Sequence, residues 1–429
     1  MTAIPGTGRG PRLTQPDPGE HQMSIAQSMH TAEIPAHVPP DLVRRIGLSN
    51  GAEYLAAPYA FLAALHDREP RLFYNVHPQT GSAWITTSYE HAFNVLRHPE
   101  FFSTAGIGGP FVRDPDDYFK IIPIEIDPPE HRKYRAILDP MVSPKGVSVL
   151  EGKIRTLTNE LIDGFIDRGQ CEFAKELGRP LPVYVFLDLM GLPQNMMDTF
   201  VGWAMGLLHA YDRAGAERCM NEATVYLKQV IAAKTLHPDD GIVSAIVHGK
   251  PGGQPMSEKE IFGFVFFLFI AGLDTVFATL NNIFTWLAQN PERRQEIVDH
   301  PENMNAVLEE LLRVYTATFS GRTLTQDLEM GGVKMKKGDK ITCVLPACNY
   351  DPEAFPNPRQ IDFNRPRKPN LAFSGGVHSC MGAHLARLEI KICIQEFLRR
   401  IPNFQMQQGK QVEYWPGAVI GPKAVPLSW

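Results

Sequence analysis

The chain has 429 residues, of which 44% are hydrophobic and 21% charged, a composition typical of a globular protein with a sizeable core. Its formal net charge of −5 argues against nucleic acid or an anionic membrane as the main partner, because both are bound through basic surfaces. The six cysteines form no CxxC pair, which favours the reducing cytoplasm as the compartment.

The N-terminal residues 1–38 are rich in proline, glycine, serine and threonine and show no apolar period, so we expect a disordered or extended tail. No signal-peptide pattern is apparent at the start. The longest apolar run, Ile261 to Leu273, is shorter than the roughly 20 residues that cross a bilayer, so we expect no membrane span. No low-complexity linker divides residues 39–429, which we expect to form a single domain.

The first part of that domain mixes helices and strands. Between residues 41 and 103, helical patterns alternate with the strand-like segments RLFYNV and SAWITTS, and helices dominate from Asp127 onward. Residues 322–345 switch to short strands separated by glycine-containing turns. A last helix is predicted over GAHLARLEIKICIQEFLRRIP. The predicted fold class is therefore mainly α with a small β region.

A long central helix is predicted between these regions. Ser257 and Glu260 form a capping-box pattern, and Pro291 marks the end of an uninterrupted helical segment. At about 1.5 Å per residue, a helix from Ser257 to Asn290 would be about 50 Å long. Its middle is apolar on all sides, so we expect it to be a central element of the domain.

The middle of this helix carries the sequence AGLDTV. Gly272 and Asp274 are costly there, because glycine in a helix costs about 1 kcal/mol relative to alanine and a buried carboxylate costs more. The Thr275 hydroxyl can bond the carbonyl of Ala271 and open a notch beside Gly272 that dioxygen could occupy. Asp274 and Thr275 then form an acid and alcohol pair able to relay protons. A satisfied Asp-Thr pair in a kinked core helix is the alternative.

The segment FSGGVHSCMGAHLAR holds Cys380 just before the last predicted helix. Free backbone N–H groups and the positive end of the helix dipole favour a thiolate there, and a thiolate can bind iron. Gly376 and Gly382 leave bare backbone that would let a flat macrocycle approach. A lone cysteine is more often inert core, and His378, Cys380 and His384 could by spacing bind zinc.

This segment resembles the heme-binding signature of the cytochrome P450 family: Phe, two residues, Gly, three residues, Cys, one residue, Gly. Phe373, Gly376, Cys380 and Gly382 match it, and AGLDT resembles the family's Ala/Gly-Gly-x-Asp/Glu-Thr element. The likeness runs from about residue 37 to the end. It implies the cytochrome P450 fold, a triangular helical domain with the long helix over the heme. It also implies heme b (iron protoporphyrin IX) as cofactor and Cys380 as the axial ligand of its iron.

The same resemblance assigns roles to basic residues that would otherwise be read as surface charge. His378, Arg135 and Arg322 look like ligands of the heme propionates, since guanidinium and carboxylate pair well. The cluster of Arg132, Lys133 and Arg135 looks like a docking face for an acidic electron donor.

A further set of charges looks structural rather than catalytic. Glu310 and Arg313 are three residues apart, a spacing that alone indicates no more than a surface ion pair. In the resembled family, the corresponding glutamate and arginine form a network with an arginine in the loop before the cysteine, which here looks like Arg365.

Within the family, the chain looks similar to the bacterial camphor 5-monooxygenase and its relatives, through HVPPDLV, IIPIEIDPPEHRKYR, LPVYVFLDLMGLP and AVPLSW. That implies a terpenoid or another compact apolar ring as substrate. Phe119, with Tyr118 beside it, stands where camphor hydroxylase uses a tyrosine to hold the ketone, so an ether, a hydrocarbon or an ionone-like terpenoid is an alternative to camphor. The expected pocket residues, almost all apolar, are Phe119, Ile121, Phe267, Ile270, Ala271, Thr318, Val419 and Ile420.

We therefore expect a heme-dependent monooxygenase that hydroxylates a small apolar substrate with dioxygen. The chain has no flavin or nicotinamide fingerprint, so two electrons must come from outside, and the resemblance implies a 2Fe–2S ferredoxin fed by an NAD(P)H-dependent ferredoxin reductase. One alternative is a heme-thiolate peroxygenase or isomerase, against which the Asp274 and Thr275 pair counts. The other is a non-catalytic heme protein that binds a gas.

Overall fold

The computed structural model describes residues 34–77, 81–106, 119–209 and 213–429. Most of the tail predicted over residues 1–38 lies outside the described residues. The α-helices of the described part are α1 (Ala52–Ala56), α2 (Pro58–Arg68), α3 (Tyr89–Arg97), α4 (Glu130–Val142), α5 (Pro144–Ser148), α6 (Glu151–Asp163), α7 (Pro180–Met190), α8 (Met197–Leu208), α9 (Arg213–Leu236), α10 (Ile242–Val247), α11 (Glu258–Ala271), α12 (Thr275–Gln289), α13 (Pro291–Asp299), α14 (Met304–Val314), α15 (Leu345–Asn349) and α16 (Ala383–Arg400).

The strands of the described part are short. They are β1 (Val43–Arg44), β2 (Leu72–Asn75), β3 (Ala83–Thr86), β4 (Phe102–Ser103), β5 (Gln170–Glu172), β6 (Ser320–Leu324), β7 (Leu328–Met330), β8 (Val333–Met335), β9 (Lys340–Cys343), β10 (Gln405–Met406) and β11 (Pro426–Ser428). This content confirms the prediction of a mainly α protein with a small β region.

The strands form a six-stranded sheet of order β1-β2-β3-β9-β6-β4, a three-stranded sheet of order β10-β11-β5, and the pair β7-β8. Strands β2 and β3 are antiparallel, with Phe73 opposite Ile85, and β3 runs parallel to β9. In the antiparallel pair β6 and β9, Arg322 lies opposite Ile341. The large sheet therefore joins the predicted N-terminal strands to the strands predicted over 322–345.

The central helix is interrupted, which corrects the prediction of one continuous helix. Helix α11 starts with the predicted capping box of Ser257 and Glu260 and ends at Ala271, and α12 starts at Thr275. Between them, Asp274 has backbone angles of φ −129° and ψ −38°, outside the helical range. The helical hydrogen bonding is therefore broken over the three residues Gly272, Leu273 and Asp274.

The two halves of this element lie in the two largest buried clusters of the described residues. Helix α11 packs its phenylalanines against α8 and α9, and α12 packs Phe284 against Phe173 and Phe397. By length and composition, Glu258–Gln289 could cross a membrane, but 61% of its most apolar window is buried inside the protein, as in the core helix of a soluble protein. The predicted central position is thus confirmed.

Candidate active site

Cys380 lies in a tightly closed loop before α16. The Cys380 N–H donates to the Phe373 carbonyl at 2.9 Å, and the Ser379 N–H donates to the Gly376 carbonyl at 3.2 Å. A single turn of 3-10 helix, Gly376–His378, lies inside the loop. These bonds fix the direction in which the Cys380 side chain leaves the backbone.

The loop needs glycine at one of its positions. Gly376 has a φ of +67°, and a Cβ placed there would lie 2.1 Å from the carbonyl oxygen of Leu96 in α3. Only a residue without a side chain allows this close approach of loop and helix. At Gly382, a Cβ would make an ordinary contact of 3.9 Å with the Cys380 sulfur, so no such packing demand exists there.

The Cys380 side chain is exposed, yet protein atoms surround it closely enough that burial raises the pKa of its thiol. The Gly382 N–H, Arg135 and Arg387 act in the opposite direction and favour the thiolate, but burial outweighs them. The helix terminus alone therefore does not produce the thiolate expected from the sequence, and a bound iron cation would be needed to hold the sulfur in that form.

Arg322 is a buried cation with an unused donor. It is 3% exposed, and its Nη1 donates to the Ser320 hydroxyl and the Gly321 carbonyl. Its Nη2 has no hydrogen-bond partner among the described residues, and burial lowers the pKa of the guanidinium. A buried guanidinium with a free N–H is suited to an anionic ligand, because leaving such a donor unpaired is costly.

Arg135 reaches the cysteine loop from α4. Its Nη1 donates to the Ser379 carbonyl at 2.5 Å and lies 3.5 Å from the Val377 carbonyl. The predicted Arg135 and His378 are thus brought to the same loop as Cys380.

Two histidine rings stack beside these arginines. The His131 and His378 rings are 4.2 Å apart and edge to face, and the Thr104 hydroxyl lies 3.2 Å from Nε2 of His378. Burial, reinforced by nearby positive charge, lowers the pKa of His131 to about 4 and that of His378 to about 3. Both rings are therefore neutral near pH 7 and can each donate one N–H. His131 was not predicted, and its place one turn before Arg135 on α4 was the available signal.

These groups fit a heme. Iron requires a sulfur ligand here and the two propionates require hydrogen-bond donors. The site offers the Cys380 thiol, a buried arginine whose Nη2 has no partner among the described residues, and neutral histidine donors. Cys380 could hold the iron, and Arg322, Arg135, His378 and His131 could hold the carboxylates.

The break in the central helix holds the predicted acid and alcohol pair. The Thr275 hydroxyl donates to the Ala271 carbonyl at 3.3 Å, as predicted. A Cβ on Gly272 would lie 2.4 Å from the ring of Phe186 in α7. The missing side chain of Gly272 therefore makes room for Phe186, which fills the space on that side of the helix.

Asp274 is buried and is bound by a residue that the sequence did not indicate. Its Oδ2 lies 2.8 Å from Nε2 of His209, which follows α8, and Nδ1 of His209 lies 2.7 Å from the Pro416 carbonyl. His209 is 65 positions away in sequence and has no motif around it, so no local signal could have found it.

The predicted pocket residues fall into two groups. Phe119, Ile121 and Ile270 belong to one buried cluster with Phe267 packed against it, and the Phe119 ring lies 4.7 Å from Phe262. Tyr118, expected beside Phe119, lies outside the described residues.

The second group lies around the C-terminal strand region. Thr318 pairs with Val419 across an isolated β-bridge, and Val419 packs with Ala278 of α12. Ile420 packs instead into the cluster around Tyr59, because successive residues of an extended segment point to opposite sides. Ile420 is therefore not brought together with Val419.

The predicted charge network is assembled in the interior. Arg313 donates from Nε and Nη2 to the two carboxylate oxygens of Glu310 at 2.9 and 2.7 Å, and Arg365 donates to the same carboxylate at 3.1 Å. Glu310 and Arg313 are 5% and 2% exposed, so this is a buried network and not a surface pair. A neighbouring pair, Arg387 with Glu309, ties α16 to α14 and was not predicted.

A family model described as Cytochrome P450 matches residues 209–424. The probable cytochrome P450 127A1 of Sinorhizobium fredii is 33% identical over 409 residues, covering 93% of this chain and 97% of that protein. The steroid C26-monooxygenase of Mycolicibacterium smegmatis is 28% identical over 351 residues, covering 80% and 86%. The crystal structure of CYP101J2 matches with a TM-score of 0.81 and 28% identity, over 93% of this chain and all of that one.

Proposed function

This chain belongs to the cytochrome P450 family and is a heme b-dependent bacterial monooxygenase, and from that premise we propose that it hydroxylates a small terpenoid-like substrate. The apolar character of the expected pocket is the observation that supports this substrate class. Thr318 has the one polar side chain among the expected pocket residues. An apolar pocket binds its ligand through burial of apolar surface and leaves few polar groups to fix its orientation.

Five side chains would hold the cofactor. Cys380 would bind the iron, and Arg322, Arg135, His378 and His131 would bind the propionates, with the backbone around Phe373, Gly376 and Gly382 shaping the loop. The bound heme supplies the iron at which dioxygen is activated, and a thiolate ligand favours cleavage of the O–O bond.

The protein's own contribution to the reaction would be proton delivery. We assign Asp274 and Thr275 as an acid and alcohol pair at the break of the central helix, where the Thr275 hydroxyl already bonds the Ala271 carbonyl. Asp274 would take protons from water and pass them to the Thr275 hydroxyl.

The relay is tested with Thr275→Ala. We expect less product per NADH consumed and more hydrogen peroxide released, because reduced oxygen that is not protonated correctly leaves as peroxide. Thr285→Ala is the matched control, since Thr285 is another threonine of α12 with a buried hydroxyl. A Thr275→Ala protein with the parent's yield and no rise in peroxide would contradict the relay and favour a peroxygenase or isomerase.

The electron donor would be a 2Fe–2S ferredoxin reduced by an NAD(P)H-dependent reductase, in the cytoplasm. Arg132 and Lys133 are exposed on α4, and the exposed Val377 lies next to Arg135. Exposed basic groups around an apolar residue suit an acidic partner. Lys133→Glu should slow reduction by such a ferredoxin and weaken its dependence on salt, whereas Lys410→Glu, remote in sequence, should not.

The substrate class is tested by a binding screen. Camphor, limonene and β-ionone are added to the ferric protein, and the low-spin to high-spin change is followed, because a ligand that expels the water on iron reports itself. Conversion of the best ligand to a hydroxylated product, with ferredoxin, reductase and NADH, would support the proposal. Binding and turnover of fatty acids but of none of these terpenoids would overturn it.

A further inference from the structure

His209 and Asp274 form a buried pair inside the protein. Their side chains are 4% and 3% exposed, and Nε2 of His209 lies 2.8 Å from Oδ2 of Asp274. The histidine follows α8 and the aspartate occupies the break between α11 and α12, so the contact links the central helix to a neighbouring helix.

The hydrogen bonds of His209 fix the number of protons in this pair. The Pro416 carbonyl can only accept, so Nδ1 of His209 must carry a hydrogen to bond it at 2.7 Å. In the neutral ring, Nε2 would then be a lone pair facing Asp274. Because an ionised carboxylate also only accepts, the 2.8 Å contact requires one further proton between Nε2 and Oδ2.

Among the described residues, few other charges surround the pair. Arg179, just before α7, acts on Asp274 through its positive charge and stacks over Phe277 at 4.9 Å. Asp198 and Glu172 act on Arg179. The Nε atom of Arg179 is buried without a hydrogen-bond partner among the described residues, so this cation can stabilise the Asp274 carboxylate when His209 is neutral.

We propose that His209 is a positioning residue for the proton relay. The proton that His209 shares with Asp274 holds the Asp274 carboxylate beside α8, and loss of this proton releases the carboxylate to exchange protons with the Thr275 hydroxyl. This inference rests on the relay role assigned to Asp274 above. The proton that leaves the pair goes to water, and the released carboxylate then accepts protons from water and passes them to the Thr275 hydroxyl.

The direction of the pH dependence follows from the pair. Burial works against the charged imidazole, but the hydrogen bond and the charge of Asp274, with the Pro416 carbonyl, together raise the pKa of His209. The pair therefore keeps its proton to a higher pH than an ordinary histidine would, and loses it as the pH rises through that raised pKa. Product per NADH should rise with pH over the same interval.

The activity test uses the holoenzyme with a 2Fe–2S ferredoxin, its NADH-dependent reductase and the best terpenoid of the screen. Product per NADH is measured between about pH 6 and pH 9, a range chosen to bracket the ordinary histidine pKa of about 6.5 and a raised one. We expect the plot of product per NADH against pH to bend in the parent protein. The bend should be lost in His209→Gln and in His209→Arg, because neither side chain titrates in this range. His37→Gln is the matched control, since His37 pairs with Asp339 at 2.7 Å, and it should keep the bend.

A second readout does not depend on turnover. The pKa of His209 is measured by NMR of histidine-labelled protein in the reduced, carbon monoxide-bound form, which is diamagnetic, and His209→Gln identifies its resonance. Asp274→Asn should lower this pKa by about 1 to 3, because an adjacent opposite charge shifts a pKa by that amount.

The outcomes separate the two proposals. If Asp274→Asn leaves product per NADH and peroxide release unchanged, the relay is wrong and the role of His209 is wrong with it. If Asp274→Asn reduces the yield but His209→Gln keeps the bend, or the His209 pKa does not move in Asp274→Asn, only the positioning role is overturned.

Discussion

A Cβ on Gly376 would lie 2.1 Å from the carbonyl oxygen of Leu96, closer than any relaxed contact of these atoms. The left-handed φ of +67° at the same position adds to the demand for glycine. The cysteine loop can therefore lie this close to α3 only because residue 376 is a glycine.

Gly376→Ala should therefore displace the loop and weaken heme binding. The backbone strain alone costs roughly 1–2 kcal/mol, and the collision adds to it. Thermal unfolding and the ratio of heme to protein after purification measure the effect. Gly409→Ala isolates the strain, because Gly409 has a φ of +76° but nothing within 4 Å of its Cβ position. Equal losses in the two variants would contradict the packing argument.

Replacing the sulfur tests the ligand directly. Cys380→Ser should abolish the absorption band typical of carbon monoxide on thiolate-bound ferrous heme, because a serine hydroxyl does not replace a thiolate at iron. Cys219→Ser should keep the band, since Cys219 lies on α9, away from the loop. A spectrum of Cys380→Ser indistinguishable from the parent would remove the basis of the functional account.

The Nη2 donor of Arg322, which has no partner among the described residues, predicts that a substitution of this arginine weakens heme binding. Arg322→Lys keeps the charge but removes the second donor nitrogen of the planar guanidinium, and a charge-assisted hydrogen bond contributes about 1.5–3 kcal/mol. We expect heme affinity to fall by roughly 10- to 100-fold, measured as faster transfer of heme to apomyoglobin. Arg359→Lys, in an exposed pair with Asp67, serves as the control. Transfer at the parent's rate would mean that Arg322 does not bind a propionate.

Glu389 is a buried acid in α16 whose Oε1 has no hydrogen-bond partner among the described residues, and burial raises its pKa well above the usual value. The unfolded chain releases this proton above about pH 4.3, whereas the folded chain keeps it, so stability falls as the pH rises toward the folded pKa.

Glu389→Met should therefore raise the unfolding free energy at pH 8 by roughly 1–3 kcal/mol and by less at pH 5, followed by thermal unfolding at both values. Glu396→Met is the contrasting variant, because Glu396 of the same helix is paired with Arg155 and Arg399, and its loss should destabilise the protein. A larger gain for Glu389→Met at pH 5 than at pH 8 would contradict the assignment of a protonated acid.

Much of the fold follows from local patterns. The capping box at Ser257 and the proline that starts α13 are both encoded within a few residues. The uninterrupted helix expected from Ser257 to Asn290 is broken where the Thr275 hydroxyl bonds the Ala271 carbonyl, a local competition that the AGLDTV sequence itself indicated.

The candidate site likewise contains parts that local sequence motifs predicted and parts that they did not. Cys380 and its loop, and the sequence from Ala271 to Thr275, are contiguous motifs whose chemistry is readable from residue type and spacing. The family resemblance grouped Ile420 with Val419 in the pocket, and only the strand geometry shows that the two side chains enter different clusters.

The sequence alone identified the family and predicted Cys380 as the iron ligand and Asp274 with Thr275 as the acid and alcohol pair, because each motif depends on neighbours along the chain and on the local backbone they create. Tertiary structure alone decided that Asp274 binds His209, that Phe186 fills the space beside Gly272, and that Arg322 keeps an unused donor. These contacts join elements far apart in sequence, and their geometry depends on how whole helices and strands pack, which no local pattern encodes.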